Sequence, residues 1–147
     1  LRYPDTGAIL LCRPSTAGGN DGQMLRRAVV AGQPRLFEHL AALAQTQWNR
    51  NGQLGLVVGA TYPDEIARVR ELAPSLPLLI PGVGAQGGDA EATVRAGWRG
   101  DAEATSGPII VSSSRAVLYA GAGEDFAAAA RLAAQRTREQ LNRARRG

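Results

Sequence analysis

Two short stretches of the 147-residue chain carry residue types that bind anions. The first runs from Gly82 to Gly88; its glycines let the backbone approach a ligand closely, and Gln86 adds a side-chain hydrogen-bonding group. The second is a triple serine followed by Arg115, between an apolar run and a predicted helix start. Backbone N–H groups at such a start attract negative charge, and arginine binds phosphate through paired hydrogen bonds. Together the two stretches predict a phosphate site.

Each stretch also has an interpretation without phosphate. Residues 82–87 fit the dinucleotide fingerprint GxGxxG, but that motif should follow the first strand of its unit, and here it follows the third apolar run. Arg115 could pair with a surface carboxylate instead. We favour an anion site, because packing alone does not explain three serines and an arginine at a strand end.

The chain offers few groups for other chemistry. His39 is the only histidine, so a two-histidine metal site is impossible and we expect no metal. Cys12 is the only cysteine; it lies in an apolar run, which indicates a buried, inert thiol. No lysine occurs, so all 17 basic residues are arginine. No strand end carries an isolated acidic residue suited to acid–base catalysis.

Four apolar runs are too short for helices and too continuous for half-exposed strands: 8–12, 54–58, 78–80 and 109–111. We therefore predict parallel strands that are buried on both faces. Helical patterns fall between and after them, over 36–48, from Thr61 onward, over 90–96 and over 124–145. The hydroxyl of Thr61 is predicted to cap its helix, and Asp89 to act in a loop or as a helix cap.

Strand and helix alternate four times, which predicts an α/β fold with a parallel sheet. Four such units in 147 residues match half of a (β/α)₈ TIM barrel, which needs about 250 residues. A small, open, doubly wound sheet is the competing architecture. We interpret 1–147 as a single partial domain in which 136–147 form the arginine-rich end of the last helix.

Composition narrows the choice of partner and compartment. The net charge of +4 is concentrated near the C-terminus, without aromatic residues that could stack on bases, so we expect no nucleic-acid partner. No apolar run is long enough to span a membrane, and no signal peptide is recognisable, so we expect a cytoplasmic protein. Because the chain begins with Leu1, we expect its natural start to lie upstream. The sequence of 88–93 recurs at 100–105, and we assign this repeat no function.

The same stretches resemble bacterial orotidine 5'-phosphate decarboxylases of the longer subfamily. Residues 79–88 look like the phosphate loop after the seventh strand, and 109–119 look like the eighth strand with the turn after it. Residues 55–61 resemble the sixth strand and 11–15 the fifth. The resemblance covers nearly the whole chain in the right order. It implies the C-terminal half of a (β/α)₈ barrel.

The resemblance implies how the substrate is bound. Gln86 would contact the phosphate and help to close the loop, and Arg115 with the backbone of Ser114 would bind the phosphate. Ser15 would meet the pyrimidine, although the residues after it depart from the family pattern, and Arg13 stands where the family has a lysine. The expected substrate-binding residues are Ser15, Gly84, Gln86, Gly87, Ser114 and Arg115.

The family converts orotidine monophosphate to uridine monophosphate and CO₂ without a cofactor, using alternating aspartate and lysine residues on the third strand. No Asp-x-Lys pattern occurs here, so we expect no catalytic residue in this chain and no activity from it alone. The alternatives are a non-catalytic module that binds nucleotide phosphate, or another phosphate-binding barrel enzyme such as an epimerase or isomerase. A complete family member would be a homodimer acting on a small molecule, and a half barrel should self-associate or require its other half.

Overall fold

A computed structural model of the chain describes residues 3–14, 34–84, 88–100 and 105–146. In chain order, its strands are β1 (Ala8–Arg13), β2 (Leu54–Val58), β3 (Leu78–Pro81), β4 (Arg99–Gly100), β5 (Thr105–Gly107) and β6 (Ile109–Ser112). Four of them form one parallel sheet in the order β1-β2-β3-β6, and β4 pairs with β5 in a small antiparallel hairpin. The four predicted parallel strands are confirmed.

Helices alternate with these strands. They are α1 (Leu36–Leu43), which continues into a π-helical turn at Ala44–Trp48, α2 (Pro63–Leu72), α3 (Ala90–Gly97), α4 (Arg115–Leu118) and α5 (Phe126–Arg146). Neighbouring strands of the sheet follow one another along the chain without a reversal. A doubly wound sheet reverses its strand order at a switch point, so this topology favours the barrel. No helix in the described ranges is long and apolar enough to cross a membrane.

The core lies on one face of the sheet, between the strands and helices α1 and α2. Its fully buried members include Phe37, Ala41, Leu56, Val58, Ile66, Val69, Leu78 and Ile80. Burial on both faces, as we predicted, is wrong for the outer strands: Leu11 of β1 is 60% exposed and Ile110 of β6 is 52% exposed. In the described part of the chain, each outer strand has a hydrogen-bonded neighbour on one side only.

Helix α2 begins at Pro63 rather than at the predicted Thr61. Tyr62 is the residue that precedes the helix, with a non-helical backbone (φ −128°, ψ 81°) and no capping hydrogen bond from its side chain. The ring of Pro63 disfavours the helical conformation for the residue before it, while its fixed φ suits the first helical position. The proline therefore determines where α2 begins.

A buried arginine links the beginnings of two strands. Arg70 of α2 is 1% exposed, and its guanidinium donates five hydrogen bonds of 2.7–3.1 Å to backbone carbonyls. Leu76 and Pro108, which precede β3 and β6, are among the acceptors. The others are Gly97, Ala73 and Pro74. Burial, and secondarily the charge of Arg99, lower the pKa of Arg70 to about 10. The cation thus holds α2, α3 and two strands together at the end of the sheet opposite the glycine loop.

Helices α3 and α5 differ in how closely they pack. In α3, a Cβ added to Gly97 would lie 3.1 Å from side-chain atoms of Ile66 and Ile80 and 3.2 Å from Ile109, so a side chain here would require these neighbours to shift. No residue of α5 is buried, and Phe126 is 60% exposed, so α5 contributes no fully buried side chain to the core. The second copy of the sequence repeat begins at Gly100 of β4 and ends at Thr105 of β5, and 101–104 lie outside the described residues; we did not predict this pair of strands.

Candidate functional site

The carboxyl ends of β3 and β6 lie side by side. Pro81 of β3 pairs with Ser112 of β6 at the last register position of the two strands. Just beyond them, the hydroxyl of Ser113 donates a hydrogen bond of 3.2 Å to the carbonyl of Val83. This bond joins the segment after β6 to the glycine loop after β3. Two segments that are 30 residues apart in sequence therefore form one surface.

The glycine loop closes on itself at its base. The N–H of Gly88 donates to the carbonyl of Gly82 at 3.2 Å, and the N–H of Gly84 donates to the carbonyl of Gly88 at 3.0 Å. Gly84 has a φ of +83°, a region that other residues rarely adopt, and a Cβ on it would lie 3.4 Å from the Cβ of Ala116 in α4. A Cβ on Gly88 would lie 2.5 Å from Ala60. These glycines allow the loop to lie between α4 and the end of β2.

A small cavity lies between the glycine loop and the start of α4. Its volume is about 100 Å³, well above the roughly 10–15 Å³ that one water needs. Ser114 precedes α4, whose first backbone N–H groups have no partner within the helix, and the exposed Arg115 begins it. The cavity can therefore admit a group of several heavy atoms beside an arginine. Its lining is Pro81, Gly82, Val83, Ser112, Ser113, Ser114 and Arg115.

A second cavity of about 720 Å³ adjoins the other side of the loop. It extends between α3 and α5, and its charged residues are Asp89, Glu91, Arg95 and Arg143. The carboxylate of Asp89 accepts a hydrogen bond of 2.6 Å from the N–H of Ala92, which confirms Asp89 as a helix cap. Its two carboxylates balance its two arginines, so this wall carries no net positive charge, and Arg115 does not line this cavity. The smaller cavity is therefore the better candidate for phosphate.

Three of the six expected substrate-binding residues fall within the described ranges, and they lie together. Ser114 and Arg115 line the small cavity, and Gly84 lies in the loop that forms its opposite wall and approaches Ala116. The remaining three, Ser15, Gln86 and Gly87, lie outside the described residues.

Arg13, at the end of β1, contacts other side chains of the same chain. Its side chain is fully buried, pairs with the carboxylate of Glu65, and lies with its guanidinium carbon 4.5 Å from the centre of the Tyr62 ring. A register shift between Leu11 and Arg13 sets Arg13 opposite Val58. Sequence reasoning identified only the exchange of lysine for arginine and missed this cluster. An arginine directly after an apolar strand, with an acidic residue in the first turn of a helix, is the signal that could have revealed it.

The two remaining reactive side chains are not part of this surface. Cys12 is 1% exposed, its thiol donates to the carbonyl of Phe37 at 3.3 Å, and burial raises its pKa to about 12. The predicted burial of the thiol is confirmed, and its lack of reactivity stays a prediction. His39 lies in α1, away from the strand ends at β3 and β6. Within the described ranges, no three residues among His, Cys, Asp and Glu are grouped so that they could hold a metal ion.

Known proteins are similar to this chain over almost all of its length. Orotidine 5'-phosphate decarboxylase from Leptothrix cholodnii is 74% identical over 145 residues, which is 98% of this chain and 51% of that protein. The chain belongs to the orotidine 5'-phosphate decarboxylase family. It spans about half the length of the curated relatives it matches. No protein-family model matches the chain.

Solved structures agree with the decarboxylase family. The UMP synthase of Leishmania donovani superposes on 98% of this chain with a TM-score of 0.77 and 42% identity, over 29% of its own length. The OMP decarboxylase of the same organism superposes on 96% of this chain with a TM-score of 0.74 and 36% identity, over 50% of its own length. The predicted fold class, part of a (β/α)₈ barrel with four parallel strands, is confirmed.

Proposed function

We propose that this chain is the phosphate-binding part of an orotidine 5'-phosphate decarboxylase, the enzyme that converts orotidine monophosphate to uridine monophosphate and CO₂. The observation that carries the proposal is the cavity between the glycine loop and the start of α4, lined by Gly82, Ser114 and Arg115. Relatives named as this enzyme, at 69–74% identity, support the same assignment.

In the proposed complex, the substrate phosphate lies in the small cavity. Arg115 is exposed at the cavity wall and can donate two parallel hydrogen bonds to phosphate oxygens. The backbone N–H of Ser114, and the glycine loop through Gly84, Gln86 and Gly87, complete the set of donors. We further propose that Ser15 contacts the pyrimidine.

The chemistry is proposed for the complete protein and not for this chain by itself. In the family, a lysine protonates the pyrimidine carbon that loses CO₂, and this chain contains no lysine. Arg13 does not replace it, because its guanidinium is buried against Glu65 and Tyr62. Phosphate binding far from the reacting carbon supplies energy that an enzyme can use to drive chemistry at that carbon. The chain would contribute this binding energy, and the complementary half would contribute the proton donor.

The proposed partner is a small nucleotide rather than a nucleic acid or a membrane. A phosphate-sized cavity with one arginine suits a single phosphate group, whereas nucleic-acid binding needs an extended basic surface with base-reading groups. We propose a cytoplasmic location and, for the complete protein, a homodimer, both by analogy with the family.

Titration with uridine 5'-monophosphate tests the binding proposal. We expect the 147-residue chain to bind this nucleotide but not uridine, which lacks the phosphate. Arg115→Ala should weaken binding by about 10- to 100-fold, the loss expected for charged hydrogen bonds. Arg131→Ala is the matched control, because Arg131 is an exposed arginine of α5 outside the cavity. Equal affinity for nucleotide and nucleoside, or equal effects of the two substitutions, would contradict the proposal.

Complementation separates the enzyme from a non-catalytic binding module. The chain alone should not release CO₂ from orotidine 5'-phosphate. Adding the part of the Leptothrix cholodnii decarboxylase that this chain does not match should restore turnover, and Arg115→Ala should lower it. Nucleotide binding without restored turnover would favour the binding module instead.

A further inference from the structure

The triple serine after β6 contains one hydroxyl whose proton is already used within the chain. Ser113 donates a hydrogen bond of 3.2 Å from its Oγ to the carbonyl oxygen of Val83 in the glycine loop. A carbonyl can only accept, so the proton in this bond belongs to Ser113, and a serine hydroxyl has only one proton. The remaining capacity of the hydroxyl is lone pairs, which repel the oxygens of a phosphate. Ser113 is therefore poorly suited to bind the anion directly.

The part of the glycine loop around Val83 needs anchors from outside the loop. Gly82 and Gly84, on either side of Val83, have φ values of +99° and +83°, and glycine loses more conformational freedom on folding than other residues. The backbone hydrogen bonds at the loop base run from the N–H groups of Gly84 and Gly88 to carbonyls of the same loop. Those bonds close the loop but do not attach it to the segment after β6. The hydroxyl of Ser113 makes that attachment.

Val83 and Ser113 also lie between two cavities. Both residues line the small phosphate cavity of about 100 Å³ and the larger cavity of about 720 Å³ behind it. Their hydrogen bond therefore belongs to the wall that separates the two cavities. Val83 is 5% exposed and packs in the core, so its side of the wall is firmly held. Without the bond, the other side of the wall could move away and the small cavity would lose its fixed shape.

We propose that Ser113 is a positioning residue for the phosphate site. Its hydroxyl holds the glycine loop against the segment that leads into α4, and the direct contacts to phosphate come from Arg115 and from backbone N–H groups. The inference rests on the proposed function and adds a residue that acts on the ligand only through the loop. Groups that are held in their binding arrangement before the ligand arrives lose less conformational entropy on binding, and affinity is higher for that reason.

Amide hydrogen exchange in the 147-residue chain, without ligand, tests the positioning role. The N–H groups of Gly84 and Gly88 report on the loop base, because both are hydrogen-bonded there. Ser113→Ala should make both exchange about 2- to 12-fold faster, which corresponds to the loss of one neutral hydrogen bond. The N–H of Gly59, which donates to the Arg13 carbonyl at 2.7 Å, should exchange at an unchanged rate.

Two further variants identify the hydroxyl as the cause. Ser113→Thr keeps a hydroxyl at the same position and should stay within about twofold of the wild-type exchange rates. Ser112→Ala is the matched control, because Ser112 is an exposed serine that lines the same small cavity. It should leave the exchange of Gly84 and Gly88 unchanged.

Titration with uridine 5'-monophosphate then relates the loop to the ligand. Ser113→Ala should weaken binding of this nucleotide by about 2- to 12-fold, because the variant must order the loop base when the phosphate binds. Ser113→Thr should weaken it by less than about twofold.

Three patterns would overturn the inference. Weaker nucleotide binding with unchanged exchange would make Ser113 a direct phosphate ligand. Faster exchange with unchanged affinity would limit Ser113 to the structure of the loop. Equal exchange effects of Ser113→Ala and Ser112→Ala, or no recovery in Ser113→Thr, would show that the hydroxyl of Ser113 is not the cause. A wild-type chain that does not bind uridine 5'-monophosphate would instead refute the proposed function, so the two failures are distinguishable.

Discussion

Replacing Arg70 with methionine should strongly destabilise the fold. Methionine retains much of the buried side-chain volume but removes all five hydrogen bonds of the guanidinium. Hydrogen bonds to a charged group contribute about 1.5–3 kcal/mol each, but five on one group are not additive. The desolvation that lowers the pKa of Arg70 to about 10 also disappears, which offsets part of the loss. We expect a net destabilisation of about 3–5 kcal/mol, because five backbone carbonyls lose their donor and an unsatisfied buried polar group costs about 1–3 kcal/mol.

Urea unfolding followed by circular dichroism measures this change. With a slope of about 1–3 kcal/mol per molar urea, Arg70→Met should lower the unfolding midpoint by about 1–5 M. Arg68→Met is the matched control in the same helix: the Arg68 side chain is 47% exposed and pairs with Glu38 and Glu71 at the surface. It should cost less than about 1 kcal/mol. All samples are compared at one protein concentration, because association would add to stability. Losses that agree within about 0.5 kcal/mol would refute the network role of Arg70.

Three further results follow from the described contacts. Partial burial acts to raise the pKa of Glu38, but hydrogen bonds from Arg68 and from the Arg35 N–H hold that pKa below the ordinary 4.5. The ionised Glu38 therefore contributes stability above pH 4.5, and this contribution is lost as the pH falls through the lower pKa of the folded state. Glu38→Gln should thus destabilise the protein at about pH 7 and much less at about pH 3, and equal urea midpoint shifts at both would contradict this. Cys12, whose pKa is about 12, should resist iodoacetamide until the protein unfolds in urea, and rapid labelling of folded protein would show the burial to be wrong. Gly88→Ala should weaken uridine monophosphate binding and lower stability by about 1–3 kcal/mol, measured by titration and urea unfolding, whereas Gly7→Ala, with its nearest atom at 3.6 Å, should change neither.

The sequence predicted the positions of the strands well because apolar runs indicate buried segments. It did not predict which side chains of each strand are covered. Leu56 and Leu11 lie in similar runs, yet Leu56 is fully buried and Leu11 is 60% exposed. The difference arises because Leu56 lies on the face of the sheet that packs against the core, whereas Leu11 lies on the opposite face; which face is covered is a tertiary property. The β4–β5 hairpin was missed for the opposite reason: Arg99 and Thr105 carry no apolar pattern.

The candidate site was predictable to the extent that parallel sheets place strand ends together. Gly84 and Arg115 were expected at one edge, and the pairing of β3 with β6 brings them there. The sequence did not distinguish surface arginines from buried ones. Arg68 and Arg70 are two positions apart in one helix, yet only Arg70 faces a set of backbone carbonyls supplied by distant segments.

Because Gly97 has no side chain, the side chain of Ile80 occupies the space between α3 and the sheet. The Cδ1 of Ile80 lies 3.1 Å from where a Cβ would be, and Ile80→Val removes that atom. Gly97→Ala should cost about 1–3 kcal/mol and Ile80→Val about 0.5–1.5 kcal/mol, but the double variant should cost less than their sum. The double variant removes one methyl group from β3 and adds one to α3. Positions 80 and 97 are therefore expected to compensate only in part, because Ile66 and Ile109 would still lie 3.1 and 3.2 Å from the added methyl group.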